Sequence, residues 1–367
     1  MGAKARAREV ILDRRQSNSR KDQESPSPAP LVQVMRGPIT ESRHRGHVIA
    51  VNGDGGVVAV LGNPETVTYL RSSAKPLQAI PLVTSGAADR FGFTEKEIAL
   101  ACGSHSGEPI HAETARSMLK KAGLDPHALK CGTHEPFSAE ETRRLREKGE
   151  SPNVLQNNCS GKHAGMLALA VHLGAPTDTY DQPTNGVQRA ILETISEFSA
   201  TRVQDIALGT DGCGVPVFGM SVRAMALTYA RLVAPPTALS DATRKACGRI
   251  VRAMIDYPEM IGGTSDRLDT ELIRAAKGRL ISKVGAEGVY TAGVLPNSEF
   301  PNGLGLALKI EDGDDHRARP VVVIEALRQL GVLNDEAIEA VARYALFLVR
   351  NRRGDVVGEV KASFVLN

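Results

Sequence analysis

The sequence predicts a mixed α/β domain of the α+β kind, a mainly antiparallel sheet flanked by helices. Three observations predict it. Strand patterns lie near both ends of the chain, a helix-rich stretch separates them, and an Asn-Gly-Asp-Gly-Gly run joins two β-branched segments. The strict strand–helix alternation of a doubly wound parallel sheet is missing. With 367 residues the chain can bury one large core or two smaller ones.

Residues 1–30 are rich in Arg, Ser and Pro and hold no sustained apolar period, so they read as disordered. The first 33 residues are taken as an extension, with the folded domain at 34–367. "HVIAVNGDGGVVAVLG" (47–62) reads as a hairpin turning at Asn52–Gly56. A helix is expected from Ser72 to about Ser85. A short helix near residue 95 follows, with Thr94 and Glu97 spaced as a capping box. Amphipathic helices come next at "HAETARSMLKKAGL" and "SAEETRRLREKG", the second capped by Ser138. "NNCSGKHAGMLALAVHLG" is a polar turn feeding an apolar helix, and "NGVQRAILETISEFS" is a further helix. "DIALGTDGCGVPVF" reads as a strand ending in a Gly-rich loop. Helices are expected near 219–233 and 239–256, then strand, turn and strand in "RLISKVGAEGVYTAGVLP". A strand at "GLGLALKI", helices near 319–330 and 334–347, and a strand in "GDVVGEVKASFVL" close the chain.

Composition excludes several classes of function. Trp is absent and aromatics make up 4%, which argues against a base- or sugar-stacking surface. Residues 1–30 carry seven Lys/Arg and four Asp/Glu, which leaves 38 of each sign in the remainder. A neutral body does not capture nucleic acid or an anionic membrane by charge. No apolar run approaches the roughly 20 residues of a membrane span. The N-terminus lacks the apolar stretch of a secretory signal, and a cytoplasmic location is expected by default. Five cysteines point to thiols or metal ligands rather than a disulfide framework.

Five clusters could carry chemistry. Ser72 and Lys75 form a Ser-x-x-Lys pattern, which near a helix start places a hydroxyl and an amine on one face. A serine needs a base to become a nucleophile, and a buried lysine can be that base. Taken alone, the pattern also fits a helix cap with a solvated lysine. "CGSHSGE" holds Ser104 in a turn that could equally be a helix C-cap. "NNCSGKHAGM" gathers Cys159, Lys162 and His163 at a helix start, where a thiol's pKa falls. "TDGCGVP" holds Asp211 and Cys213 and also suits an ordinary turn. Cys159 and Cys213 could share a metal, with His163 the conventional nitrogen ligand. Lys283 lies on a strand just before Gly285.

Together, "RSSAKPLQ", "CGSHSGE", "NNCSGKHAGM", "TDGCGVP" and "KVGAEG" resemble, in order and spacing, the thermolabile Rhizobium etli-type (class 3) L-asparaginases, from about residue 34 onward. The resemblance implies a fold similar to serine β-lactamases and glutaminases, and a homodimer. It implies two Ser–Lys tandems, Ser72 with Lys75 and Ser104 with Lys283. It implies a metal site, usually holding zinc, at Cys159, Lys162 and Cys213, with His163, Asp211 and Arg71 near the substrate. Where the family commonly has a cysteine, this chain has Asp269, which as a carboxylate could reach the substrate's amino group or the metal, or could simply cap a helix.

The expected activity is hydrolysis of the L-asparagine side-chain amide through an acyl-enzyme, with Ser72 favoured over Ser104 as the acylated residue. The alternatives are a related Ser–Lys amidohydrolase (a glutaminase or β-lactam hydrolase) and an inactive metal-binding protein on the same fold.

Overall fold

The computed structural model describes residues 27–367, and most of the expected N-terminal extension lies outside the described residues. Among the described residues the main sheet has eight strands, all antiparallel where they pair. Its strands are β1 (Ala29–Arg36), β2 (Ile39–Asn52), β3 (Val57–Leu61), β7 (Leu280–Val284), β8 (Val289–Val294), β9 (Leu304–Ile310), β10 (Phe347–Arg350) and β11 (Val356–Ala362). Their order is β10-β11-β1-β2-β9-β8-β7, with β3 added alongside β2. A second sheet orders β4 (Val67–Tyr69), β6 (Pro216–Ser221) and β5 (Ala207–Thr210) as β4-β6-β5. The main sheet thus draws on both chain ends, and the helices of the middle pack on one of its faces.

The expected hairpin forms, with Val48 opposite Leu61 and Ala50 opposite Ala59. Asn52 shapes its turn by accepting from the N–H groups of Asp54 and Gly56, the local bonding that suits Asn to turns. Thr94 and Glu97 make the full capping box, and Ser138 caps Ala139–Lys148.

Four elements differ from expectation, each for a local reason. The helix drawn from Ser72 to Ser85 is three pieces: a 3-10 turn at Arg71–Ala74, then Lys75–Gln78 and Ile80–Thr84. Pro76 and Pro81 sit in the first turns of the two helical pieces, where proline's missing N–H costs least. Residues 29–33 belong to β1, so the folded chain begins earlier than position 34. The front half of β2, "ITESRHR", is mostly exposed and carries no apolar alternation to betray a strand. The helix expected at 334–347 breaks into Asp335–Ala340 and Ala342–Ala345 and then passes into β10.

Two apolar clusters lie on opposite faces of the main sheet. One joins Ile49, Val51, Ile281 and Ala307 to the central helices. The other joins Val48, Ala50, Leu306 and Leu308 to the helix Ala318–Gln329. This alternation along β2 and β9 is the period of two that buries both faces of a strand. Helix Val222–Val233 lies directly on β9, and a Cβ at Gly305 would stand 1.9 Å from the Ala226 carbonyl oxygen. Gly305→Ala is therefore expected to lose about 1–3 kcal/mol through overpacking, read as a lower urea midpoint with unchanged m-value.

Candidate functional site

A cavity of about 730 Å³ opens where the helical layer meets the end of β7. Arg71, Ser72, Ser104, Cys159, Asp211, Cys213 and Asp269 line it. Lys75, Lys162 and Lys283 stand just behind that lining, each 4% exposed or less. His163 is fully buried and does not line the cavity, contrary to the substrate-contact role expected for it. One residue beyond Lys162 on a helix, it points about 100° away. Its Nδ1 meets the Tyr180 hydroxyl at 2.6 Å, and its Nε2 has no partner among the described residues.

The segment before the 3-10 turn runs with the second sheet, where the Leu70 N–H donates to the Phe218 carbonyl. At Arg71 the backbone swings to φ +52°, a left-handed conformation that costs a non-glycine residue energy. Two contacts hold the turn that follows. Ser73 Oγ donates to the Lys283 carbonyl at 3.1 Å, and Tyr229 Oη donates to the Ser73 carbonyl at 2.9 Å. Ser73 thereby ties the turn to β7 and to helix Val222–Val233. Ser72, its neighbour, is left partly exposed at the cavity wall.

Lys75 is 1% exposed, and its Nζ meets three groups: the Gly103 carbonyl at 2.6 Å, Ser104 Oγ at 2.9 Å and the Asn158 carbonyl at 3.1 Å. Burial lowers its pKa; Cys159 opposes this, and the like charge of Lys162 adds to the fall. The sequence pairs Lys75 with Ser72, but among the described residues its amine is hydrogen bonded to Ser104. The segment bearing Ser104 approaches so closely that a Cβ at Gly103 would lie 2.2 Å from the Met260 carbonyl oxygen. Lys283 Nζ is not bonded to Ser104; it donates to the Val284 carbonyl at 3.0 Å and lies 3.5 Å from Asp269 Oδ2.

Arg267 is a site residue that motif reasoning missed. It donates to the Ser104 carbonyl at 2.7 Å and to Ser106 Oγ and the Gly262 carbonyl, both at 2.9 Å. It clamps the Ser104 loop to the loop preceding helix Leu268–Ala275. A lone arginine in "GGTSDR" carries no spacing signal that would have found it.

Beside the two serines lies a thiol–amine group. Lys162 Nζ donates to Cys213 Sγ at 2.9 Å. The two buried thiols lie close enough to compete for one proton, which holds the Cys159 pKa well down and pushes that of Cys213 up. Burial pushes Lys162 down, but Cys213 and Cys159 outweigh it and raise its pKa. Two sulfurs converging in a buried pocket are donors that suit zinc, and the Lys162 amine joins them as a ligand only if it gives up its proton. Asp211 accepts from Arg71 Nε at 2.9 Å. Burial raises its carboxyl, while Lys162, the Gly212 N–H and Arg71 outweigh this and leave it below its usual value.

The sequence profile described as L-asparaginase II matches residues 32–362. The chain belongs to the L-asparaginase II family. Membership makes it an amidohydrolase with a small-molecule substrate. No curated protein matches this L-asparaginase II family member. Solved structures that it matches include a probable glutaminase from Bacillus subtilis complexed with 6-diazo-5-oxo-L-norleucine. Identity there is 14%, with 78% of this chain and 84% of that chain covered and a TM-score of 0.35. A second is the covalent complex of a Bacillus subtilis glutaminase with 5-oxo-L-norleucine, at 11% identity, 84% and 93% coverage and a TM-score of 0.36. Likenesses at this level decide nothing about substrate. Among the described residues no helix is long and apolar enough to cross a membrane.

The buried amines have a consequence for stability. Burial lowers the pKa of Lys283, Asp269 opposes, and Lys75 and Arg267 add to the fall, which ends at about 7. The unfolded chain keeps that proton to about pH 10. Between those values the unfolded state binds more protons, so stability rises with pH, by up to about 1.4 kcal/mol per unit. Lys283→Met is expected to lose this slope, read by urea unfolding at about pH 7 and pH 9.

Proposed function

We propose that this protein is an L-asparaginase, hydrolysing the side-chain amide of L-asparagine to L-aspartate and ammonia through a Ser–Lys acyl-enzyme. The observation that carries the proposal is the set of partners around Lys75. A neutral amine has two N–H groups and one lone pair. Lys75 Nζ donates to the Gly103 and Asn158 carbonyls and to Ser104 Oγ; once it gives up a proton, its two N–H groups keep the carbonyls and its lone pair turns to the Ser104 hydroxyl. Burial favours that neutral form. Lys75 is the base.

Ser72 is the hydroxyl with exposure at the cavity wall, whereas Ser104 is 3% exposed. In this reading Ser72 attacks the amide carbon, and its proton passes to Ser104 as the Ser104 proton passes to Lys75. The amide nitrogen leaves as ammonia on gaining a proton, and water then releases aspartate. Arg71 has its Nε on Asp211 and lines the cavity, a cation for the α-carboxylate of an amino acid. Asp211 offers the matching negative charge for the α-ammonium group.

Cys159, Lys162 and Cys213 would hold a zinc ion. Bound there, zinc supplies positive charge beside the substrate pocket. A neutral Lys162 requires its proton to leave on metal binding. The protein is proposed to act as a homodimer, on family resemblance.

Lys75→Ala is expected to lower turnover by at least 10²–10⁴-fold, the usual worth of a positioned base. An acyl-enzyme trapped with a slow amide analogue should map to Ser72 by mass spectrometry. A label on Ser104 would move the nucleophile to the residue that Lys75 touches directly. Ammonia release should be faster from asparagine than from glutamine; the reverse order makes the enzyme a glutaminase. Chelation is expected to raise KM more than it lowers kcat. A complete loss of turnover restored by zinc assigns the metal to the chemical step instead.

A further inference from the structure

We propose that Asp269 is a positioning residue for Lys283: its buried carboxylate fixes the second site lysine in place and opposes the loss of its proton, so that the two lysines divide into one base and one amine that favours its charged form. The inference rests on the amidohydrolase reading above, and it assigns Asp269 a role other than contact with the substrate.

The geometry favours the lysine over the substrate as the partner of Asp269. The residue is 2% exposed, although it stands at the cavity lining. Its Oδ2 accepts from the Val284 N–H at 3.0 Å and lies 3.5 Å from Lys283 Nζ, with both side chains buried. Its Oδ1 is buried and among the described residues makes no hydrogen bond of normal geometry, and the same holds for the nearby Tyr290 hydroxyl and Ser282 Oγ. These groups lie close enough for Asp269 to raise the Tyr290 pKa, which burial raises most. Asp269 therefore faces β7 and β8 and keeps little surface for a ligand.

The contrast with Lys75 completes the argument. Among the described residues Lys75 forms no ion pair with a carboxylate; its hydrogen-bond partners are two carbonyls and a hydroxyl. Lys283 has one carbonyl and one carboxylate. An uncharged amine is enough for the first set, and the second favours the charged form. The other titratable groups facing the Lys283–Asp269 pair are Lys75 from Lys75–Gln78, Arg267 from the loop before Leu268–Ala275, Cys102 after helix Glu95–Ala101, Tyr229 from helix Val222–Val233, and Tyr290 from β8. Lys75 and Arg267 push Lys283 toward its neutral form, and Asp269 is the one carboxylate among these groups that opposes them.

The test compares wild type, Asp269→Asn and Asp269→Glu in two measurements. The first is an NMR titration of ¹³Cε-labelled lysine in the full chain without substrate, with the Lys283 signal assigned from its loss in Lys283→Arg. The midpoint should fall by about 1–3 pH units in Asp269→Asn, the usual effect of removing an opposite charge at this range, and stay within about one unit in Asp269→Glu. The second is the pH dependence of kcat/KM, whose high-pH limb should move down by the same amount in Asp269→Asn, with KM little changed. An unmoved Lys283 midpoint overturns the proposal. So does a raised KM with an unmoved pH profile, which would make Asp269 a substrate contact. If wild type proves inactive on every amide tried, the amidohydrolase reading fails, while the titration still decides whether Asp269 opposes the loss of the Lys283 proton.

Discussion

The site depends on the burial of amines. Lys75, Lys162 and Lys283 lie behind one cavity wall, each shielded from solvent and each with different company. Backbone carbonyls and a serine hydroxyl surround the first, thiols the second and a carboxylate the third. A lysine left alone in a low-dielectric interior loses its proton. The partners decide how far each one departs from that outcome. Three residues of one type thereby acquire different chemistry within one pocket.

Burial of that kind needs rigid surroundings, which the fold supplies through close backbone approaches. The Ser104 loop is pressed on the Met260 carbonyl at Gly103 and clamped by Arg267. At Gly161 a Cβ would lie 2.5 Å from Leu100 Cγ, so the helix start bearing Cys159 and Lys162 sits directly on helix Glu95–Ala101. Ser73 pins the Ser72 turn to the strand that carries Lys283. The strain at Arg71 is held by the same framework and by the ion pair to Asp211. Segments remote in sequence are thus locked against one another, and the amines between them cannot turn to water.

The motifs were legible because each couples an unusual residue to a turn. Ser72, Ser104, Cys159, Asp211 and Cys213 do line one cavity. Their pairing was not legible. Spacing of three residues suggests that Ser72 meets Lys75, but that rule presumes a regular helix, and the chain there is a 3-10 turn followed by a proline-led piece. Arg267 escaped notice because its task is to grip backbone carbonyls, which leaves no mark in residue type. His163 looked like a site residue by adjacency, yet helical rotation turned it toward Tyr180.

By itself the sequence determined the fold class, the family and the residues with reactive side chains, because local patterning and motif order express short-range physics. It offered no account of β1, which pairs with β11 from the far end of the chain, of the polar half of β2, or of β4, which pairs with the distant β6. Only the tertiary structure decided that Lys75 engages Ser104 and that Lys283 faces Asp269. Those partners lie 29 and 14 residues apart. Their meeting depends on how helices stack on a sheet edge, and no local pattern encodes that distance.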